Sequence, residues 1–146
     1  MSLILVLLFA SCKKNNEDNP AKSKTELLTA APWKRTALIS TPAYDWNADG
    51  TSSTDVLSIM WPCEKDNLDI YKTNGIIETD EGPTKCNPSD PQVWTATWML
   101  VDNESKIRFD NSYEYVLDEV TATTLRLSVT FIENGVTYTH LETYGH

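Results

Sequence analysis

From Trp33 onward, apolar and polar residues alternate with a period of two. In VWTATWMLV (93–101), Trp94, Ala96, Trp98 and Leu100 fall on one face, and Val93, Thr95, Thr97, Met99 and Val101 on the other. In TLRLSVTF (124–131), Leu125, Leu127, Val129 and Phe131 face one way, with Arg126, Ser128 and Thr130 opposite. SYEYVLDEV (112–120) places Tyr113, Tyr115 and Leu117 together. Alternation among β-branched and aromatic residues predicts half-buried antiparallel strands. Eight are expected, over about 33–41, 67–73, 76–81, 92–101, 105–110, 113–120, 123–133 and 136–144. Asn74-Gly75 and Asn134-Gly135 are two-residue hairpin signals, and the polar stretches 102–105 and 110–112 are further breaks. Short connections pair sequential neighbours. Eight strands in up-and-down order close into an antiparallel β-barrel that hides both edges, with a two-sheet sandwich as the alternative. One stretch departs from the pattern. STDVLSIMW (53–61) reads as a short helix, capped by Ser53 or Thr54, ended by Pro62 and placed as a lid or plug near one end of the barrel.

Before this domain the composition changes twice. Leu3 to Ala10 is an apolar run too short to span a bilayer as a helix, which needs about 20 residues. It has the length of the apolar part of an export signal and ends in small residues, Ala10-Ser11, directly before Cys12. This resembles the lipobox of bacterial lipoproteins, with Phe9 where the motif prefers leucine. The resemblance implies cleavage before Cys12, lipidation of its sulfur and acylation of the new amino terminus. No Lys or Arg precedes the run, as expected if the start codon lies upstream. CKKNNEDNPAKSKTE (12–26) then contains no apolar residue larger than alanine, the composition of a flexible tether. The expected organisation is a signal over 1–11, a tether over 12–25 and a domain over 26–146. Two or more acyl chains anchor a protein stably, so the expected location is the outer membrane, held by lipid on the cell-surface or periplasmic face.

Lipidation of Cys12 leaves Cys63 and Cys86, and export favours a disulfide between them. Closing a loop of that length stabilises by roughly 3 kcal/mol in the chain-entropy picture. His140 and His146 are too far away in sequence to complete a zinc spacing with these thiols. The net charge of −9 disfavours nucleic acid and anionic lipid as partners and keeps an exported domain soluble.

DWNADGTSSTD (45–55) is the sharpest local motif. Asp45, Asn47 and Asp49 recur at every second residue before Gly50, and Thr51 follows. This resembles the first half of an EF-hand or dockerin-type calcium loop. Val56 stands where such loops carry a bidentate acid, and Asp55 lies one residue early. Asp45, Asn47, Asp49, Thr51 and Asp55 are therefore candidate Ca²⁺ ligands. The competing reading is an Asx-rich turn bonded to its own backbone. No enzymatic constellation is apparent. His146 is terminal and expected to fray, and His140 shares a strand face with Tyr138 and Glu142. No nucleophile elbow or phosphate loop appears, and no catalytic role is expected. The aromatics are the other resource. Trp94, Trp98, Tyr113, Tyr115 and Tyr138 are candidates to line a pocket if the barrel is incompletely filled.

The stretches LLTAAPWK (27–34), CEKDNLDIYKTNG (63–75), EGPTKCNPSDPQ (81–92) and ATWML (96–100) resemble the lipocalin-like domains of bacterial outer-membrane lipoproteins. Members carry a first-strand tryptophan, two cysteines at this spacing and a Gly-Thr-Trp, in which Ala96 here replaces the glycine. The resemblance implies a small barrel with a Cys63–Cys86 disulfide and transfers no catalytic residue. The expected function is a membrane-anchored barrel that binds a small apolar or amphipathic ligand. The alternative is a filled barrel serving as an interaction module of a cell-surface complex.

Overall fold

The computed structural model describes residues 21–146. The segment 1–11, Cys12 and residues 13–20 of the expected tether lie outside the described residues. The chain order is α1 (Lys24–Leu28), β1 (Trp33–Tyr44), β2 (Ser53–Asp55), α2 (Val56–Ile59), α3 (Pro62–Lys65), β3 (Leu68–Tyr71), β4 (Ile76–Asp80), β5 (Val93–Val101), β6 (Lys106–Phe109), β7 (Tyr113–Val120), β8 (Thr124–Glu133) and β9 (Val136–Gly145). β1 pairs with β3, each later strand pairs with the next, and β9 returns to β1, all antiparallel. The result is a closed eight-stranded barrel, not a sandwich, with β2 added along the outer part of β1. Among the described residues no helix is long and apolar enough to cross a membrane.

The inward stripes follow the period-two reading. β9 turns Tyr138, His140, Glu142 and Tyr144 inward, and β8 turns Leu125 and Leu127 to meet Tyr144 and Glu142 across the ladder. β1 changes parity once. An irregularity between Arg35 and Ala37 inserts a residue, so Trp33 and Arg35 face inward before it and Leu38 and Ser40 after it.

One end is sealed by apolar side chains. Leu28, Trp33, Ile107 and Leu125 are essentially inaccessible, and Tyr71, Ile77, Trp98 and Leu117 pack with them. Helix α1 closes this end, although the sequence reading left Lys24 and Thr25 in the tether. Ser23 and Glu26 form a reciprocal capping box, and the Trp33 indole donates to the Leu28 carbonyl at 2.9 Å. Burying Leu28 contributes about 1.5–3 kcal/mol, which fixes a helix too short to stand alone. His146, expected to fray, instead packs against Trp33 with ring centroids 4.1 Å apart and the rings tilted by 35°.

At the other end the wall is incomplete. β1 meets β3 only at Trp33–Asp69 and Lys34–Leu68, then pairs with β2 at Ile39–Asp55 and Tyr44–Ser53. The stretch expected as one helix over 53–61 is broken because Ser53–Asp55 is drawn into this pairing. Asp55, not Ser53 or Thr54, caps the single turn α2 by accepting from the Ser58 amide at 3.3 Å. Val56 and Met60 are buried against Leu38, so the segment does fill part of the barrel as a plug.

The two hairpin signals resolve differently. Asn134 and Gly135 both have positive φ (51° and 80°), the two-residue turn the sequence indicated. At the β3–β4 turn only Gly75 does (81°), and its amide donates to the Lys72 carbonyl at 3.1 Å, giving a three-residue turn with glycine in the left-handed position. Cys63 and Cys86 are bonded, with Cα atoms 5.1 Å apart. The bridge ties α3 to the β4–β5 loop, where the Thr84 amide also donates to Asp66 at 3.0 Å.

Candidate ligand cavity

Within the barrel, open to solvent at its mouth, lies a cavity of about 340 Å³ lined from β1, β3–β9 and the α3 segment. That is within the range of about 300–1,000 Å³ typical of small-molecule sites. Alternation supplies its walls: Tyr71 from β3, Ile77 from β4, Ala96 from β5, Phe109 from β6, Tyr115 from β7 and Leu127 from β8. Tyr71, Ile77 and Ala96 are direct neighbours across three strands. Ala96 stands between Trp94 and Trp98 in the same stripe, and its small side chain leaves the space a third indole would fill.

One side of the cavity is polar. Arg35 and Tyr144 face each other across β1 and β9, with Glu142 two residues before Tyr144. Arg35 Nε donates to Glu142 Oε2 at 3.0 Å and Nη2 to Tyr144 Oη at 3.2 Å, and the Tyr144 hydroxyl donates to the same carboxylate oxygen at 2.5 Å. Glu142 is only 6% exposed. Burial alone would push the Arg35 guanidinium down, but Tyr144 and Glu142 outweigh it and hold the group above its ordinary value. Burial also holds the Tyr71 and Tyr144 hydroxyls well above theirs and raises Tyr115 to about 12.

Asp69 lies beside this triad, on β3, which pairs with β1. It pairs in register with Thr79, whose hydroxyl donates to Asp69 Oδ1 at 2.7 Å. Among the described residues no cation lies within ion-pair distance of it, and both Asp69 and Thr79 line the cavity. Its carboxyl is raised by burial, with the Thr79 hydroxyl and Arg35 acting in the opposite direction.

Of the aromatics proposed to line a pocket, Tyr113 and Tyr115 do so, Tyr113 at the rim and 70% exposed. The other three lie elsewhere. Trp98 is part of the sealed end, where its indole donates to the Lys72 carbonyl at 3.0 Å and its ring meets Tyr71 edge-on at 5.1 Å. Trp94 is 48% exposed because its strand position is at the open end, and its indole donates outward to Glu81. Tyr138 belongs to an aromatic group beside the plug, 5.0 Å from Tyr44 and stacked on Phe131 at 5.6 Å. His140 packs in that group against Tyr44 and Phe131, with a buried Nε2 that has no hydrogen-bond partner among the described residues.

The acidic loop is occupied with its own backbone. Asp45 accepts from the amides of Asp49 at 3.2 Å and Gly50 at 2.8 Å, and Asp49 accepts from the Thr51 amide at 2.8 Å. Asn47 donates to the Ile59 carbonyl at 2.6 Å and Asp55 caps α2, so the five candidate calcium ligands do not converge on one point. Among the described residues no group of three or more His, Cys, Asp or Glu side chains is arranged to hold a metal.

The sequence reading missed Arg35, Asp69, Tyr71 and Tyr144. Arg35 was within reach, since it lies two residues from Trp33 on the same strand face. Asp69 and Tyr71 were hidden by the apolar Leu68 and Ile70 that alternate with them and look more like core. No family model matches this chain, and no curated protein matches it.

Proposed function

We propose that the protein is a lipid-anchored, lipocalin-like carrier whose barrel binds a small amphipathic molecule. The observation that carries this reading is the cavity: apolar and aromatic on most sides, with a few convergent polar groups on one. The alternative, a filled barrel acting as an interaction module, calls for a packed interior, and Ala96 together with the gap between β1 and β3 works against that. Cys12 supplies the anchor, to the outer membrane on its surface or periplasmic side, and the tether expected over 12–25 joins it to the barrel. The polar cluster recognises rather than catalyses. Neither histidine lines the cavity, and the Glu142 carboxylate is committed to Arg35 and Tyr144.

Two measurements test the two halves. Fluorescence titration with an apolar, environment-sensitive dye should show saturable binding that Ala96→Phe abolishes while the fold is retained. Equal binding by the variant would place the dye outside the cavity and remove the support for a carrier. Intact mass of the membrane-extracted protein should show a diacylglyceryl group on Cys12, and an unmodified Cys12 would refute the anchor.

A further inference from the structure

Resting on that carrier reading, we propose that the cavity selects an amphipathic organic cation, an amine on a compact apolar body, with its ammonium group set against Asp69.

The charges of the cavity do not balance. Arg35 is the only cationic group among its lining residues, and it is engaged by Glu142 at 3.0 Å and by Tyr144 at 3.2 Å. Asp69 is left over. One of its oxygens accepts from Thr79, and among the described residues no donor lies within hydrogen-bond distance of the other. A third carboxylate, Glu64, lines the same cavity and accepts from the Trp46 indole at 3.1 Å and the Trp61 amide at 3.0 Å. The interior is therefore negative around one uncommitted oxygen acceptor. An ammonium group meets that acceptor with a charge-assisted hydrogen bond. A carboxylate or phosphate would enter against three acidic groups, with the one guanidinium already engaged.

The walls suit the same ligand. Tyr71, Phe109 and Tyr115 present aromatic rings, with Phe109 edge-on to Tyr115 at 5.7 Å. Ring faces attract cations that have left water and equally cover an apolar body. At about 30 Å³ per water, the volume corresponds to about eleven waters, and so to a ligand of about that many heavy atoms. Burial also works against the ionised form of Asp69, a cost that an ammonium partner relieves.

Three probes of one hydrocarbon body separate the possibilities: 4-phenylbutylamine, 4-phenylbutanol and 4-phenylbutyrate. Isothermal titration of the full chain should rank the amine first, the alcohol at least tenfold weaker and the carboxylate weakest. Asp69→Asn, which keeps shape and the Thr79 contact, should bring the amine down to the alcohol's affinity and leave the alcohol unchanged. Carboxylate binding as tight as amine binding would overturn the proposal while leaving the carrier reading intact, as would amine binding indifferent to Asp69→Asn. Failure of all three probes to bind would overturn both. The wild-type ranking decides the matter without the variant if Asp69→Asn does not fold.

Discussion

Removing Arg35 should do more harm than removing Arg35 and Glu142 together. Arg35→Met leaves the Glu142 carboxylate, whose side chain is 8% exposed, without its cation. Breaking one half of a buried ion pair costs about 3–5 kcal/mol. Two features of this site favour the lower end. The Arg35 side chain keeps 23% of its surface, so solvent already screens the pair, and the Tyr144 hydroxyl still donates to Glu142 after the change. The expected loss is thus about 3 kcal/mol. Unfolding entropy of about 2.1 cal/mol/K per residue, over about 125 described residues, converts this to a fall in Tm of about 11 °C. Arg35→Met/Glu142→Leu removes both charges and leaves only the Tyr144 hydroxyl to be satisfied, a cost of about 1–2 kcal/mol. Glu142→Leu alone should be milder than Arg35→Met, because the guanidinium it strands is the more exposed partner. Urea unfolding of the three variants, followed by tryptophan fluorescence and far-ultraviolet circular dichroism, measures each value. A double variant at least as unstable as Arg35→Met would refute the view that Glu142 is tolerated inside only through Arg35.

Other perturbations read other parts of the molecule. Replacing Cys63 and Cys86 by serine frees a loop of sequence separation 23 and should lower stability by about 3.4 kcal/mol in the chain-entropy picture; a loss below about 1 kcal/mol in urea titration would mean the mouth loops hold together without the bridge. His140 is held below its ordinary value of 6.5 by burial, so its folded form prefers to be neutral. Its contribution is complete above that value and is lost as pH falls toward the lowered one; His140→Phe should flatten the stability profile there, and an unchanged profile would clear His140 of the effect. Asp69 has the opposite sign for an acid. Its raised value means that the penalty appears as pH climbs past the ordinary 3.8 and is complete above the folded value, so Asp69→Asn should stabilise the ligand-free protein at neutral pH and not below pH 3.8. A destabilised Asn variant at neutral pH would contradict this. Millimolar Ca²⁺ should leave Tm unchanged, since Asp45 and Asp49 already accept from backbone amides; a clear rise would show that the loop reorganises around the ion.

How much of this was readable in the residues depended on the kind of signal. Strands with strict alternation, such as 93–101 and 124–133, were found almost to the residue, because one face meets core and the other water. The closing of the sheet and the cysteine pairing were also legible, the first from strand number and turn spacing, the second from counting. Short helices were not. Lys24–Leu28 is held by the Ser23–Glu26 capping box and by the Trp33 indole on the Leu28 carbonyl, and only the capping box, in SKTE, is local. The break of 53–61 into strand and helical turn depends on pairing with β1, which no local pattern announces. For the cavity, the sequence pointed to aromatic side chains, and two of the five named line it. The misses share a cause. Alternation says which face a residue occupies but not its height along the barrel, so Trp98 falls in the sealed end and Trp94 at the open rim. Arg35 and Asp69 sit at inward positions where hydrophobic patterning predicts apolar residues, and such violations are expected at functional or strained sites.

Native mass spectrometry of the full chain, freshly purified from its own host, tests the carrier reading most directly. A second species should appear, heavier than the bare chain by one small molecule, lost on collisional activation, and absent from Ala96→Phe purified in the same way. A wild-type protein that always emerges bare, and that also fails to take up an apolar dye, would contradict that reading.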